Sequence, residues 1–173
     1  MKYYVGVDLG TSAVKLLLVD EKGTIHKEVN REYPLYFPQP GWSEQDPAHW
    51  WAACVDGLKE LVSGIDTSSI AGIGAGGQMH GLVALDENDA VIRPAILWND
   101  GRTAEETAWL NEAIGKEQLS ACTANIAFAG FTAPQPVQPA QSRAPSPDGW
   151  LRPVRTNRNN KAHARYSAVQ PRT

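Results

Sequence analysis

Sulfur-bearing side chains are scarce in this sequence, with two cysteines and two methionines in 173 residues. Cys54 and Cys122 lie far apart and match no metal-ligand spacing, which points to a reducing compartment rather than a disulfide-stapled domain. No apolar run approaches membrane-spanning length, which excludes a bilayer-crossing helix. A basic, apolar and small-residue leader is also lacking, since the N-terminus runs straight into a strand pattern, so a cytoplasmic location is expected. Net charge is only −3, but it is unevenly spread. From Gln135 on, seven basic side chains meet one acid, Asp148, whereas residues 1–134 carry nine basic against eighteen acidic side chains. This reversal marks a boundary: a domain over 1–134 and a tail over 135–173.

What is present is organised around Val5-Gly6-Val7-Asp8-Leu9-Gly10-Thr11-Ser12. Two β-branched residues make a buried strand, and Asp8 ends it with a carboxylate. Gly10 permits a tight turn, and Thr11 and Ser12 add hydroxyls and backbone N–H groups. Such a bend can cradle a phosphate, and Asp8 can hold a divalent cation; alone, it reads equally as a hairpin turn with a solvated acid.

Tyr3–Val7, Val14–Val19 and Thr24–Tyr33 read as three consecutive antiparallel strands, with Gly23 turning the second hairpin and Ile25 and Val29 sharing a face. Pro34, Pro38 and Pro40 make an extended loop. Asp46 and Pro47 then cap and open a helix that runs to about Ser63. Its stripe is Trp50, Cys54, Leu58 and Leu61, flanked by Trp51, Val55 and Val62; the Trp pair and Cys54 read as core. Ile70–Ala75 is expected as a buried strand, Gly76–Gly81 as a glycine-bracketed loop, and Leu82–Leu85 and Val91–Trp98 as strands about an Asp86–Asp89 turn. A helix follows over about Thr103–Ile114, with Glu105 and Glu106 in its first turn.

Three bends therefore share one design, polar groups beside glycine after an apolar strand: Asp8–Ser12, Gln78–Gly81 and Asn99–Arg102. In α/β sheets such strand ends collect ligands. Met79 can pack on a carbon skeleton while His80 hydrogen-bonds; His80 reads equally as a structural histidine, and Asp100–Arg102 equally as a local ion pair.

Val7-Asp8-Leu9-Gly10-Thr11-Ser12, Trp42-Ser43-Glu44-Gln45-Asp46-Pro47, Gly77-Gln78-Met79-His80-Gly81, Pro94-Ala95-Ile96-Leu97-Trp98-Asn99-Asp100-Gly101-Arg102 and Gly130-Phe131-Thr132-Ala133-Pro134 follow one another in this order. Together they resemble the N-terminal part of bacterial xylulokinases, in the FGGY carbohydrate kinase family. The resemblance covers residues 1 to about 134. It implies an α/β fold of the ribonuclease H-like, actin–hexokinase type, here incomplete. It implies ATP and Mg2+ as cofactors, with Asp8, Gly10, Thr11 and Ser12 as the first phosphate-binding segment and Asp8 at the metal. It implies that Met79 and His80 contact the ketopentose, with Asn99 and Asp100 nearby. The reaction would move the ATP γ-phosphoryl group to the 5-hydroxyl of D-xylulose, with full-length relatives as homodimers and no membrane partner.

The pattern breaks after Pro134, where the family continues with a lysine and an apolar helix. Six prolines and clustered arginines follow instead, a composition too poor in apolar surface to fold, so disorder and an origin by frameshift or premature end are expected. The family's aspartate base falls beyond the match, so no catalytic residue is assigned and no kinase turnover is expected of the chain alone. Two other readings remain: a fragment of another FGGY sugar or polyol kinase, and a non-catalytic module whose Arg152, Arg155, Arg158, Lys161 and Arg165 bind nucleic acid.

Overall fold

A computed structural model describes residues 1–86, 88–132 and 134. The basic tail, with its expected disorder, lies outside the described residues, as do Glu87 of the 86–89 turn and Ala133. The described chain forms two compact units, Met1–Leu35 with Asp46–Gln78, and Tyr36–Gln45 with the described residues from Met79 on.

In the first unit the β-branched and leucine-rich runs pair as expected. Strands β1 (Tyr3–Leu9), β2 (Ala13–Asp20) and β3 (Ile25–Glu32) form an antiparallel meander. Gly23 turns the second hairpin at φ 85°, a backbone conformation that side chains with a Cβ resist. Asp20 closes that hairpin, its carboxylate accepting from the Lys22 and Thr24 N–H groups and pairing with His26 at 2.9 Å. Helix α1 (Pro47–Leu61) packs across β2 and β3. Asp46 caps it by accepting from the Ala48 N–H at 2.9 Å, and Pro47 opens it, as its missing donor allows. Trp50, Gly57 and Leu61 line the buried stripe over Val14, Leu16, Leu18 and Val29. The absent side chain of Gly57 lets the helix approach, since a Cβ there would lie 2.3 Å from Leu16 Cδ1.

Several expectations need correction. Trp51 is 74 % exposed rather than core, because one residue turns it about 100° from Trp50 and only one stripe is covered. Cys54 is half-buried; burial raises its thiol pKa, and both cysteines are free. Ile25 does not share the core face of Val29, because the register slips between Leu18 and Val19, which puts Ile25 opposite Val19 and on the other face. Strand β5 (Ile70–Gly77) runs parallel to β1 and two residues further than expected, but it is not buried: Ile73 is 66 % exposed. The sheet order is β3-β2-β1-β5, so β5 ends the sheet among the described residues, and its glycines give little side chain to cover.

The second unit has less regular structure. Strand β4 (Glu44–Gln45) pairs with β6 (Ala95–Ile96), flanked by single bridges Tyr36–Glu44 and Leu82–Ile96. The two strands expected over 82–85 and 91–98 shrink to β6 and to bridges, one of which, Leu85–Val91, closes the 86–89 turn. Pro94 lacks the donor that a longer ladder needs. Ala95, Ile96 and Leu97 are buried as this unit's core. The helix expected over 103–114 is α2 (Ala104–Leu110), which widens into one π turn, Asn111–Gly115, before α3 (Lys116–Thr123), a helix not anticipated. Asn111 starts the wide turn and exchanges two side-chain hydrogen bonds with the backbone of Ala127, at 3.0 and 3.1 Å. No helix among the described residues is long and apolar enough to cross a membrane.

Candidate functional site

The candidate residues fall into two groups, one on each unit. On the first, Asp8 stands next to last in β1, opposite Lys15 of β2 and Gly76 of β5. Lys15 directs its ammonium to Glu28 at 2.9 Å, and the exposed Asp8 carboxylate has no hydrogen bond or ion pair among the described residues. The bend is held from behind. Gly10 N–H donates to Ala13 O at 2.9 Å, where a Cβ on Gly10 would press to 3.0 Å from that oxygen. Tyr33 donates its hydroxyl to Gly10 O and its N–H to Ser12 O. Burial, then the charges of Cys54 and Asp8, push the Tyr33 phenol up to about 12, so it remains a donor. Nothing in the sequence singles out Tyr33, which closes a strand and belongs to no motif. Ser12 is exposed and Thr11 half-buried on the same bend.

These groups suit a hard cation in part. Asp8 offers one open carboxylate, and Mg2+ is commonly held by one or two carboxylates together with water and substrate phosphates. Among the described residues no group of three or more His, Cys, Asp or Glu side chains gathers to hold a metal alone. The single open carboxylate of Asp8 can fill one position on such an ion and no more.

On the second unit Met79 is half exposed, and His80 adopts φ 65°, rare for a residue with a side chain. The His80 ring lies flat on Phe131, centroids 3.8 Å apart and planes 7° apart, while His80 O accepts from Thr132 Oγ1 at 3.0 Å. Neither ring nitrogen has a hydrogen-bond partner among the described residues. Asn99 is exposed and lines a cavity of about 520 Å³ together with Phe37, Trp42 and Ser43.

Asp100 is different. Its Oδ1 accepts from Arg102 N and Nε, both at 2.9 Å, and its Oδ2 from Ser43 N at 2.6 Å and Arg102 Nη2 at 2.7 Å. Those four bonds fill the acceptor positions of a carboxylate. Burial alone would raise its pKa, but the Arg102 and Ser43 donors prevail and hold it below the usual carboxylate range. Arg102 also meets Glu44 at 2.7 Å, and Glu44 meets Arg93 at 2.6 Å. In this structure Asp100 forms the local ion pair that the sequence left open, and it braces the Trp42–Ser43 loop against the 98–102 bend.

Residues 3–135 match the model of the FGGY family of carbohydrate kinases, N-terminal domain. The chain belongs to the FGGY carbohydrate kinase family. It is 44 % identical over 137 residues to the xylulose kinase of Bacillus subtilis, a match covering 78 % of this chain and 27 % of that protein. The solved xyloylose kinase of Brucella ovis matches at 46 % identity and TM-score 0.75, over 81 % of this chain and 29 % of that one. The solved xylulose kinase of Rhodospirillum rubrum matches at 31 % identity and TM-score 0.77, over 82 % and 29 %. The chain thus spans a little over a quarter of the length of the FGGY relatives it matches. Its fold is the N-terminal part of the ribonuclease H-like, actin–hexokinase type that characterises FGGY kinases.

Proposed function

We propose that this chain supplies the sugar-contacting segment and the first phosphate-contacting segment of a xylulokinase, which transfers the γ-phosphoryl group of ATP to the 5-hydroxyl of D-xylulose in the cytoplasm. The observation that carries this reading is His80, whose ring is fixed on one face while both nitrogens stay unbonded among the described residues, as a group awaiting a polar ligand would be. The similarity to xylulose kinases names the ligand class.

In this reading His80 hydrogen-bonds a sugar hydroxyl, Met79 packs on the carbon skeleton and Asn99 offers its amide. Asp100 stands behind them as the brace of its loop. Asp8 holds Mg2+, which neutralises phosphate charge when bound, and Gly10, Thr11 and Ser12 pass beneath the phosphates. The contacts assigned here are binding contacts, so in this reading the 173-residue chain by itself binds sugar without turning it over. The related reading, a fragment of another sugar or polyol kinase of this family, makes a different prediction for ligand choice.

A titration followed by ligand-observed NMR tests both. D-xylulose is expected to bind weakly but in preference to glycerol and ribitol, and His80→Ala to abolish that preference. Equal response to all three would sink the assignment to xylulose. Incubation with D-xylulose, Mg2+ and ATP is expected to give no sugar phosphate, and turnover above background would overturn the inactive reading.

A further inference from the structure

We infer that Phe131 and Thr132 are positioning residues for the sugar contact, holding the His80 imidazole in an orientation that leaves both its nitrogens unbonded among the described residues. The inference rests on the sugar-binding reading of His80 and adds what fixes that side chain.

Three separate observations converge on residues about fifty positions away in sequence. First, the His80 backbone is strained at φ 65°, and such a conformation persists only when surrounding contacts impose it. Thr132 supplies one such contact, since its buried hydroxyl donates to the His80 carbonyl at 3.0 Å. Second, the imidazole is oriented by stacking and not by hydrogen bonding. Phe131 covers one whole face at 3.8 Å and nearly parallel, and Phe128 in turn packs against Phe131 at 5.3 Å. A histidine fixed through one nitrogen keeps a single nitrogen for a ligand; a histidine fixed through its face keeps two. Third, the segment that carries Phe131 is itself anchored to the Asn99 bend. Gly130 N–H donates to Thr103 Oγ1 at 3.3 Å, and a Cβ on Gly130 would fall 2.0 Å from Trp98 O. One short segment therefore sets the His80 bend and abuts the backbone that presents Asn99.

The test uses the 173-residue chain with Phe131→Leu, which removes the ring but stays apolar, and the near-isosteric Phe131→Tyr and Thr132→Val, beside His80→Ala as reference. His80 ring protons are read by NMR and D-xylulose affinity by ligand titration. Phe131→Leu is expected to keep the melting temperature, to lose the ring-current shift of His80, and to weaken D-xylulose by about tenfold, the size of one lost oriented hydrogen bond. Phe131→Tyr is expected to restore both shift and affinity, which a merely structural role for Phe131 would not require. Thr132→Val is expected to broaden the His80 resonances and weaken binding in the same direction. If Phe131→Leu loses the shift but binds as the parent does, while His80→Ala binds poorly, the positioning role is wrong and the sugar reading stands. If the parent chain shows no selective D-xylulose binding, the sugar reading fails and the inference falls with it, even with the stack intact.

Discussion

The Arg102 guanidinium sits over the Trp42 indole, 3.7 Å from the ring centroid, while its nitrogens pair with Asp100 and Glu44. Both Arg102 and Asp100 side chains are essentially buried, at 1 % and 0 % exposure. Removing one charge of such a pair strands the other, which costs about 3–5 kcal/mol. Arg102→Met should therefore destabilise the second unit by that amount in urea unfolding. Arg102→Lys should recover only part, because a lysine cannot reproduce the fork or the stack. A loss below about 1 kcal/mol for Arg102→Met would show that the cluster does not hold the loop.

Gly130 takes φ 80° with its missing Cβ pointed at the Trp98 and Asp100 carbonyls, which would lie 2.0 and 2.9 Å away. Backbone oxygens cannot yield as a flexible side chain can. Gly130→Ala is expected to cost about 3 kcal/mol or more, combining a disfavoured backbone with a steric clash. Thermal unfolding at the parent temperature would refute it.

Leu16 and Gly57 make a coupled pair in the first unit. Leu16→Ala should cost about 2–5 kcal/mol as a buried truncation. Gly57→Ala meets Leu16 Cδ1 at 2.3 Å in the parent chain, but once Leu16 is shortened it meets only Arg31 Cγ and Val29 Cγ1 at the ordinary distances of 3.5 and 3.6 Å. A double-mutant cycle should therefore give a favourable coupling of about 1 kcal/mol or more, whereas additivity would place the helix farther from the sheet than described here.

Acid should weaken the first unit through Asp20. Its hydrogen bond with His26, followed by the Thr24 N–H, holds the carboxyl well below the usual range. A folded-state value below the unfolded one means stability that is present above about pH 4 and is lost as pH falls further. Stability measured from about pH 6 down to pH 2 should drop less steeply in Asp20→Asn than in the parent. Identical acid limbs would exclude this pair as the cause.

Local rules made much of this molecule readable in advance. Alternation and leucine content gave β1 to β3, and Asp46-Pro47 announced the start of α1, because strand pairing and capping depend on neighbours in sequence. Trp51 and Ile73 were misread because an apolar residue says that it can be buried, not that something covers it. The register slip near Leu18 has no signature in composition, so strand alternation alone puts Ile25 on the wrong face. The candidate residues themselves were legible through motifs, whereas Tyr33 behind Gly10 and Phe131 beneath His80 were not. Those supports come from distant positions, brought into contact only when the chain folds.

Strand β5 carries no charge and no proline from Ile70 to Gly77, whereas β3 at the opposite end of the sheet is studded with Lys27, Glu28, Arg31 and Glu32. Charged borders repel strangers; among the described residues the β5 border is uncharged and glycine-rich, the kind of edge that accepts an extended peptide. Handling this polypeptide at high concentration is thus a contest between solubility and intermolecular zippering, and a lysine grafted at Ile73 is the simplest gatekeeper to install.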